Sequence, residues 1–471
     1  MNLVDDRDMR EREQILLRNE EFLTAGGTCT ESPWHMWWQD RPYHSRGDRP
    51  LSPQSVQSAL HIALKEGTPS RRSAVYIHIP FCTLACTYCA FYKKQADTAA
   101  LKQYAQMLVK EIRSLQGESY VKKSNVEAVF FGGGTPGLLS PEDITAIMDA
   151  VKETFPLAKN GEVTMESSLS DMTEEKMDTA IAAGVNRFSF GVQSFDTALR
   201  RSIGRPDSRE KVLERLAVYT KRKAGIVIDL IYGLPGQTKE VIHQDALDTL
   251  SAGIDGLDLY RLQILRGSPL GKAFERDGKT LEQPVLQGLF QEASSVLHQH
   301  AELLSCSHWK WNDREKSHYN TLAAEGSDIF AIGMACGGSI GGVGFMKPVN
   351  DTAYEKAVQN GYVPFMGMQK SPYARALGVL SGALDQGQID PMRLEKESSL
   401  PVGEMLSILY NKWEDFGLVK RERSGFVYTD AGRYWYKSMA RFVMRMAEHI
   451  VYGVEEENSN SSAWHGMMNL K

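Results

Sequence analysis

The chain has little cysteine: six in 471 residues, at positions 29, 82, 86, 89, 306 and 336. Three fall within eight residues and three are scattered, which excludes a disulfide framework of the kind that staples small secreted domains. Long apolar runs are missing too. None approaches the roughly 20 residues that a membrane-spanning helix needs, so no membrane partner is expected. There is no basic excess either, since the net charge is −5. Bulk electrostatics therefore draws the chain to neither nucleic acid nor anionic lipid. The first residues, MNLVDDRDMREREQ, lack the apolar stretch of a secretory signal, so a cytoplasmic location is expected. No internal repeat stands out beyond an alternation of strand-like and helix-like segments.

That alternation begins near residue 74. Short β-rich runs (AVYIHI, VEAVFF, GEVTMES, RFSFGV, GIVIDLIYGL and LDLYRLQI) alternate with amphipathic stretches such as LKQYAQMLVKEIRSLQ and PEDITAIMDAVKETF. Ser140 before Pro141, Thr173 before Glu174 and Ser208 before Arg209 are helix-start signals, and Gly184 and Gly253 stand where helices should stop. Six successive strand-helix units predict an α/β fold, an incomplete parallel (β/α)6-type barrel whose open side admits a large substrate.

Residues 1–70 read as an aromatic-rich N-terminal arm without sustained periodicity. It holds Trp34, Trp37, Trp38 and Tyr43, with His35 and His44 among them. The barrel is expected over 71–300. The segment 301–370, rich in polar, aromatic and glycine residues, reads as substrate-site loops and barrel closure rather than scaffold. Residues 371–455 read as a small winged-helix-like α+β module with a hairpin over Leu418–Tyr428, and 456–471 as a disordered tail.

Cys82, Cys86 and Cys89 follow the first strand with three and two residues between them. Such a loop can wrap three corners of a [4Fe–4S] cubane, a cluster usually held by four thiolates. The vacant iron would then bind a small molecule. A zinc knot with His78 as fourth ligand is the alternative, although zinc sites more often pair their ligands. Cys29, Cys306 and Cys336 read as ordinary small residues. Downstream, Gly132-Gly133-Gly134-Thr135-Pro136 follows the second strand, Glu166 ends the third and Gln193 the fourth. Arg205 follows in RSIGRPD and Asp229 lies in IDLIYGLPGQT. Each alone reads as a turn, a cap or a surface group; together, at successive strand ends, they mark a shared ligand site.

The cysteine spacing at the end of a first barrel strand resembles the signature of the radical S-adenosylmethionine (SAM) superfamily. That resemblance implies SAM on the open iron and its reductive cleavage to methionine and a 5′-deoxyadenosyl radical. YIHIPFCxxxCxxCxF, FFGGGTP, FGVQSF and DLIYGLPGQT together resemble the branch of the oxygen-independent coproporphyrinogen III oxidases, over about residues 72–440. Matching positions in that branch imply that Tyr76, Tyr88, Gly133 and Glu166 contact the SAM on the cluster. They imply that Gly134, Thr135, Gln193, Arg205 and Asp229 contact a second SAM.

Two departures narrow the branch. Phe91 stands where the dehydrogenases have a further cysteine, and His318-Tyr319-Asn320 where the related haem chaperones have a His-Asn pair. Over its whole length the sequence looks most like the anaerobic haem-degrading radical SAM methyltransferases, the anaerobilin synthases. This implies opening of the haem macrocycle by radical methyl transfer to a linear tetrapyrrole with release of iron. It also implies a flavodoxin- or flavin-type electron donor and a monomeric enzyme. The alternatives are a coproporphyrinogen III dehydrogenase, another two-SAM methyltransferase, or a haem chaperone without catalysis. His308, Trp309, His318 and Cys336 are the candidate haem-contacting residues, with His308, His318 and Cys336 as candidate iron ligands. For each of these three a hydrogen-bonded loop side chain is the favoured reading. Arg314 and Lys316 could meet propionates.

Overall fold

A computed structural model gives the structure of residues 45–90, 94, 95, 97–423 and 425–452. The aromatic cluster 34–44, Cys29, Phe91 and the tail 456–471 lie outside the described residues.

Seven parallel strands form the centre: β1 (Ser73–Ile79), β2 (Val126–Gly133), β3 (Leu157–Ser167), β4 (Arg187–Gln193), β5 (Gly225–Tyr232), β6 (Gly256–Arg261) and β7 (Asp328–Ile332). Their order is β7-β1-β2-β3-β4-β5-β6. β1, β2 and β5 are nearly continuous in apolar residues, as strands covered on both faces are; in β1 only Tyr76 is not fully buried. Helices α1 (Thr98–Ser114), α2 (Pro141–Thr154), α3 (Glu174–Ala182), α4 (Arg209–Tyr219) and α5 (Lys239–Ser251) make the crossovers between β1 and β6. The start signals act locally: the hydroxyls of Ser140, Thr173 and Ser208 accept from Asp143 N, Lys176 N and Lys211 N. Gly184 and Gly253 take φ of +109° and +69°, conformations that spare glycine alone the steric cost. On α1, Leu101, Leu108 and Ile112 turn a single face into the core. Each such buried side chain contributes about 1.5–3 kcal/mol.

Antiparallel strands extend both edges. Gly337–Ile340, Val343–Met346, Met366–Gln369 and Arg49–Leu51 continue beyond β7, and His308–Lys310 and Glu302–Ser305 beyond β6. The two outermost strands do not pair with each other, so the sheet stays open. This α/β sheet is the incomplete parallel barrel expected, with one strand more.

Two expectations are corrected. The 301–370 segment is scaffold as well as loop: it supplies β7, which pairs Asp328 with Ser73 through Ile332 with Ile77. DIFAI is too short to read as a strand until β1 offers it an edge. The next hairpin turns at Gly341 and Gly342, φ +58° and +78°, a Gly-Gly turn. Residues 1–70 are not uniformly irregular either. Pro53–Glu66 is a helix whose cap, Ser52, accepts from Ser55 N, and it buries Val56, Leu60, Ala63 and Leu64.

Beyond the sheet, α6 (Ala374–Gln386), Pro391–Ser398, Gly403–Asp415 and α7 (Asp430–Tyr452) pack around a three-stranded antiparallel sheet. Its hairpin, Val419–Glu422 against Gly425–Tyr428, falls within the residues read as one.

Candidate active site

The cysteine loop leaves β1 through Phe81 and Cys82 and is stitched to the exit of β2. Gly134 N donates to Ile79 O at 2.7 Å, and Thr135 N to Phe81 O at 2.8 Å. A side chain at 134 has no room, because its Cβ would lie 2.4 Å from Phe81 O and 3.0 Å from Cys82 Sγ. Thr135 Oγ1 donates to Cys82 Sγ at 3.6 Å. The far end of the loop is pinned by Thr87, whose N donates to Ile203 O (3.2 Å) and whose O accepts from Leu270 N (2.8 Å). All three cysteines are half-buried and free of disulfides. Burial pushes the Cys82 thiol up, against the hydrogen bond from Thr135, and the neighbouring Cys89 and Cys86 thiols add to the rise.

Gly132 and Gly133 open space for two groups. A Cβ at 132 would stand 3.0 Å from the Tyr76 ring and 3.1 Å from Glu166 Oε2. Gly133, at φ +110°, donates its N–H to Glu166 Oε2 at 3.3 Å and lies over the His78 imidazole. His78 Nδ1 faces Tyr76 Oη at 3.0 Å. Tyr76 is flanked by Phe130 and Tyr319, whose own rings stack 4.4 Å apart. Phe130 and Tyr319 were not singled out from sequence: one is half of an apolar pair, and nothing local points the other inward.

Gln193 sits at a bulge in the β4–β5 ladder with φ +71°, a strained conformation for a residue with a side chain. The bulge turns Gln193 back over Gly191, where a Cβ would meet its Nε2 at 2.6 Å and Arg205 at 3.1 Å. Arg205 also donates to Gly191 O and to Tyr88 Oη, the latter at 3.2 Å. Burial works against the Arg205 charge, but Tyr88 and the Cys86 thiol hold its pKa above the usual value. Gln193, Arg205 and Tyr88 thus form one cluster beside the cysteine loop.

The inner wall is acidic. Asp229 accepts from Ser189 Oγ at 3.2 Å and pairs across the ladder with Asp258. Burial and Asp258 push Asp229 up to about 7; burial and Asp229 push Glu166 up to about 8. The usual glutamate value is 4.5, so the sign of a pH effect follows. Below about 4.5 the group is neutral in folded and unfolded chains alike. Between 4.5 and 8 only the unfolded chain loses its proton, so stability falls as pH rises, levelling off above 8. Glu166→Gln is therefore expected to flatten the loss of stability between pH 5 and 8 in protein free of cluster and SAM. Urea titrations across that range check it; an unchanged slope would show that Glu166 is not its source.

The haem candidates separate. His308 and Trp309, expected in a loop as candidate haem contacts, lie instead in a strand, 2% and 0% exposed. His308 Nδ1 is 2.7 Å from Asp258 and Nε2 is 3.2 Å from Glu315, which also meets Arg187 at 2.8 Å. Burial opposes the charge, yet the two carboxylates hold His308 up to about 10, and Arg187 and His308 hold the buried Glu315 down to about 2. Cys336, 4% exposed, directs Sγ at Gly333 O, 3.1 Å away. All three are core residues: His308 and Trp309 sit in a paired strand, and Cys336 in the turn that follows β7. His318 differs: it is half-buried behind the left-handed Ser317, and its Nδ1 is buried without a hydrogen-bond partner.

These thiols fit a [4Fe–4S] cluster better than a single ion. Among the described residues no three His, Cys, Asp or Glu side chains converge on one metal position. A cubane needs no such convergence, since each thiolate holds a different iron.

The family model of the Radical SAM superfamily matches residues 76–248. An anaerobilin synthase of Escherichia coli O157:H7 is 30% identical over 424 residues, 88% of this chain and 94% of that protein. The heme chaperone HemW of Lactococcus lactis is 34% identical over 193 residues, and the chain spans 49% of its length. The solved coproporphyrinogen III oxidase HemN of Escherichia coli shares the fold, with a TM-score of 0.68 at 21% identity, over 85% of this chain and 96% of that one.

Proposed function

We infer the function from one premise: the chain belongs to the radical SAM superfamily, in its oxygen-independent coproporphyrinogen III oxidase-like branch. It is thus a radical SAM enzyme, and the family implies a [4Fe–4S] cluster and SAM. We propose that it opens the haem macrocycle anaerobically by radical methyl transfer, giving a linear tetrapyrrole and free iron. The observation that carries this reading is the similarity to an anaerobilin synthase over 94% of that protein, far beyond the barrel.

When bound, the cluster would supply electrons that cleave SAM at its sulfonium. The chain's residues do the rest. Cys82, Cys86 and Cys89 would hold three irons. Glu166, beside Gly133 N, would offer a carboxylate to the cofactor's ammonium; Tyr76 lies beside it, and Tyr88 would reach the same SAM from the cysteine loop. Gln193, Arg205 and Asp229, with Gly134 and Thr135, line the space proposed for a second SAM. His318, with its unpartnered Nδ1, is the candidate for the haem iron in place of His308 and Cys336. A flavodoxin- or flavin-type donor, a monomer and a cytoplasmic setting complete the proposal.

The test is anaerobic. Reconstituted protein receives SAM, dithionite and haem, while the haem absorbance band and the product masses are followed. Loss of the band, an opened tetrapyrrole and released iron are expected. SAM cleavage with intact haem would end the haem-opening reading, and decarboxylation of coproporphyrinogen III would replace it. Haem binding without SAM cleavage would favour a chaperone, as the HemW similarity allows.

A further inference from the structure

A cavity of about 240 Å³ separates the β6 edge of the sheet from α6 and α7. Asp258, His308 and Tyr260 wall it on the sheet side, and Asp385, Gln386 and Tyr436 on the helical side. A space of that size has room for about eight waters. It shares Ser305 and Gln386 with a second cavity of about 470 Å³, which reaches the exposed Lys420 and Glu422. The two cavities adjoin at these residues and mark a route from the surface towards Asp258, whose ladder neighbour is Asp229 on the inner wall.

We propose that this route is a proton inlet to the barrel chamber, with the His308–Asp258 pair as its inner end. It rests on the haem reading for its substrate. When ferrous iron leaves a tetrapyrrole, its bonds to nitrogen break and two N–H bonds form. The iron carries away two positive charges, so two protons are consumed and no electron. Each proton moves in balanced steps. An O–H bond of a protonated cavity water breaks as an O–H bond forms on Asp258, which walls the cavity, with the electron pair kept by the water oxygen. The water is recharged from solvent, and His308, held on both nitrogens by carboxylates, keeps Asp258 in place. Asp258 passes its own proton to Asp229 and so to the chamber.

The groups around His308 suit this task. Asp258 and Glu315 hold it from two sides, Arg187 backs Glu315, and Asp229 lies beyond Asp258. From the helical side Asp385 faces it, pushed up to about 6 by burial against the opposing effect of Lys437. Asp385 and Asp229, on either side of the pair, can change charge near neutrality, whereas His308 keeps its charge up to about 10.

The experiment compares the reconstituted wild-type, His308→Gln and Asp385→Asn proteins with haem, SAM and dithionite from pH 6 to 9. Methionine and released iron are both quantified. Iron released per SAM cleaved is expected to fall about a hundredfold in His308→Gln, more steeply at high pH, and by a smaller factor in Asp385→Asn. A proportional fall of both products, or an unchanged ratio, overturns the inlet. A second measurement needs no haem. In protein with ¹⁵N-labelled histidine moved into D₂O, the His308 Nδ1–H signal should vanish before the first spectrum. Persistence for hours overturns the inlet whatever the substrate. Rapid exchange with haem left intact upholds the inlet and instead defeats the haem reading.

Discussion

Replacing Cys86 by Ala is expected to leave the chain folded and reduce SAM cleavage to the level of reductant and SAM alone. Cys86 is half-buried, and the loop that carries it is held by neighbours rather than by its sulfur. Thr87 is bonded on both sides, to Ile203 and from Leu270. Gly204, at φ +84°, lets the next segment approach Ala85 O, 3.0 Å from where a Cβ would be. Loss of one half-exposed sulfur should therefore alter stability by no more than about 0.5 kcal/mol. With two thiolates the cubane has two corners without protein sulfur, so iron and inorganic sulfide contents should fall with activity. Retained cleavage would mean that another residue ligates the third iron. A collapsed melting transition would mean instead that the loop depends on its cysteines to fold.

Lys347→Met is expected to carry the largest stability cost, about 3–5 kcal/mol. Lys347 and Glu111 are 1% and 0% exposed and their charges lie 2.5 Å apart. Glu111, on α1, also accepts from Gly333 N at 2.8 Å and Tyr354 Oη at 2.6 Å, while the ammonium lies 3.8 Å above the Tyr362 ring. Methionine fills similar volume but leaves the buried carboxyl group without its cation. Changing both, Glu111→Leu with Lys347→Met, should recover part of the loss, because no charge is then stranded. Urea denaturation measures both proteins; a cost below about 1 kcal/mol for the single change would show that water reaches this pair. The consequence extends to the site. Tyr104, on the same helix, bonds His78 O at 2.8 Å and accepts from Met334 N at 3.0 Å. The helix thereby braces the ends of β1 and β7 next to the cysteine loop.

How much of this was legible beforehand depended on range. The cysteine spacing, the Gly132–Gly134 run and the capping hydroxyls act within a few residues, so their signals lie intact in the sequence. Apolar runs flanked by helix starts likewise revealed six of the seven parallel strands. Asp258, Arg187 and Glu315 passed unnoticed, since a lone charge in a strand pattern carries no mark of its partner. Arg187 meets Glu315 across 128 positions, and His308 meets Asp258 across 50.

The sequence by itself determined the chemistry of the cluster loop, the turns that its glycines permit and the parallel α/β class, all properties of short stretches of chain. Only the tertiary structure decided that DIFAI would extend the sheet and that His308, Trp309 and Cys336 would be buried in the core. It alone left His318 with a free nitrogen. Burial and charge state are set by whichever distant segment packs alongside, and that neighbour exists only once the sheet has formed.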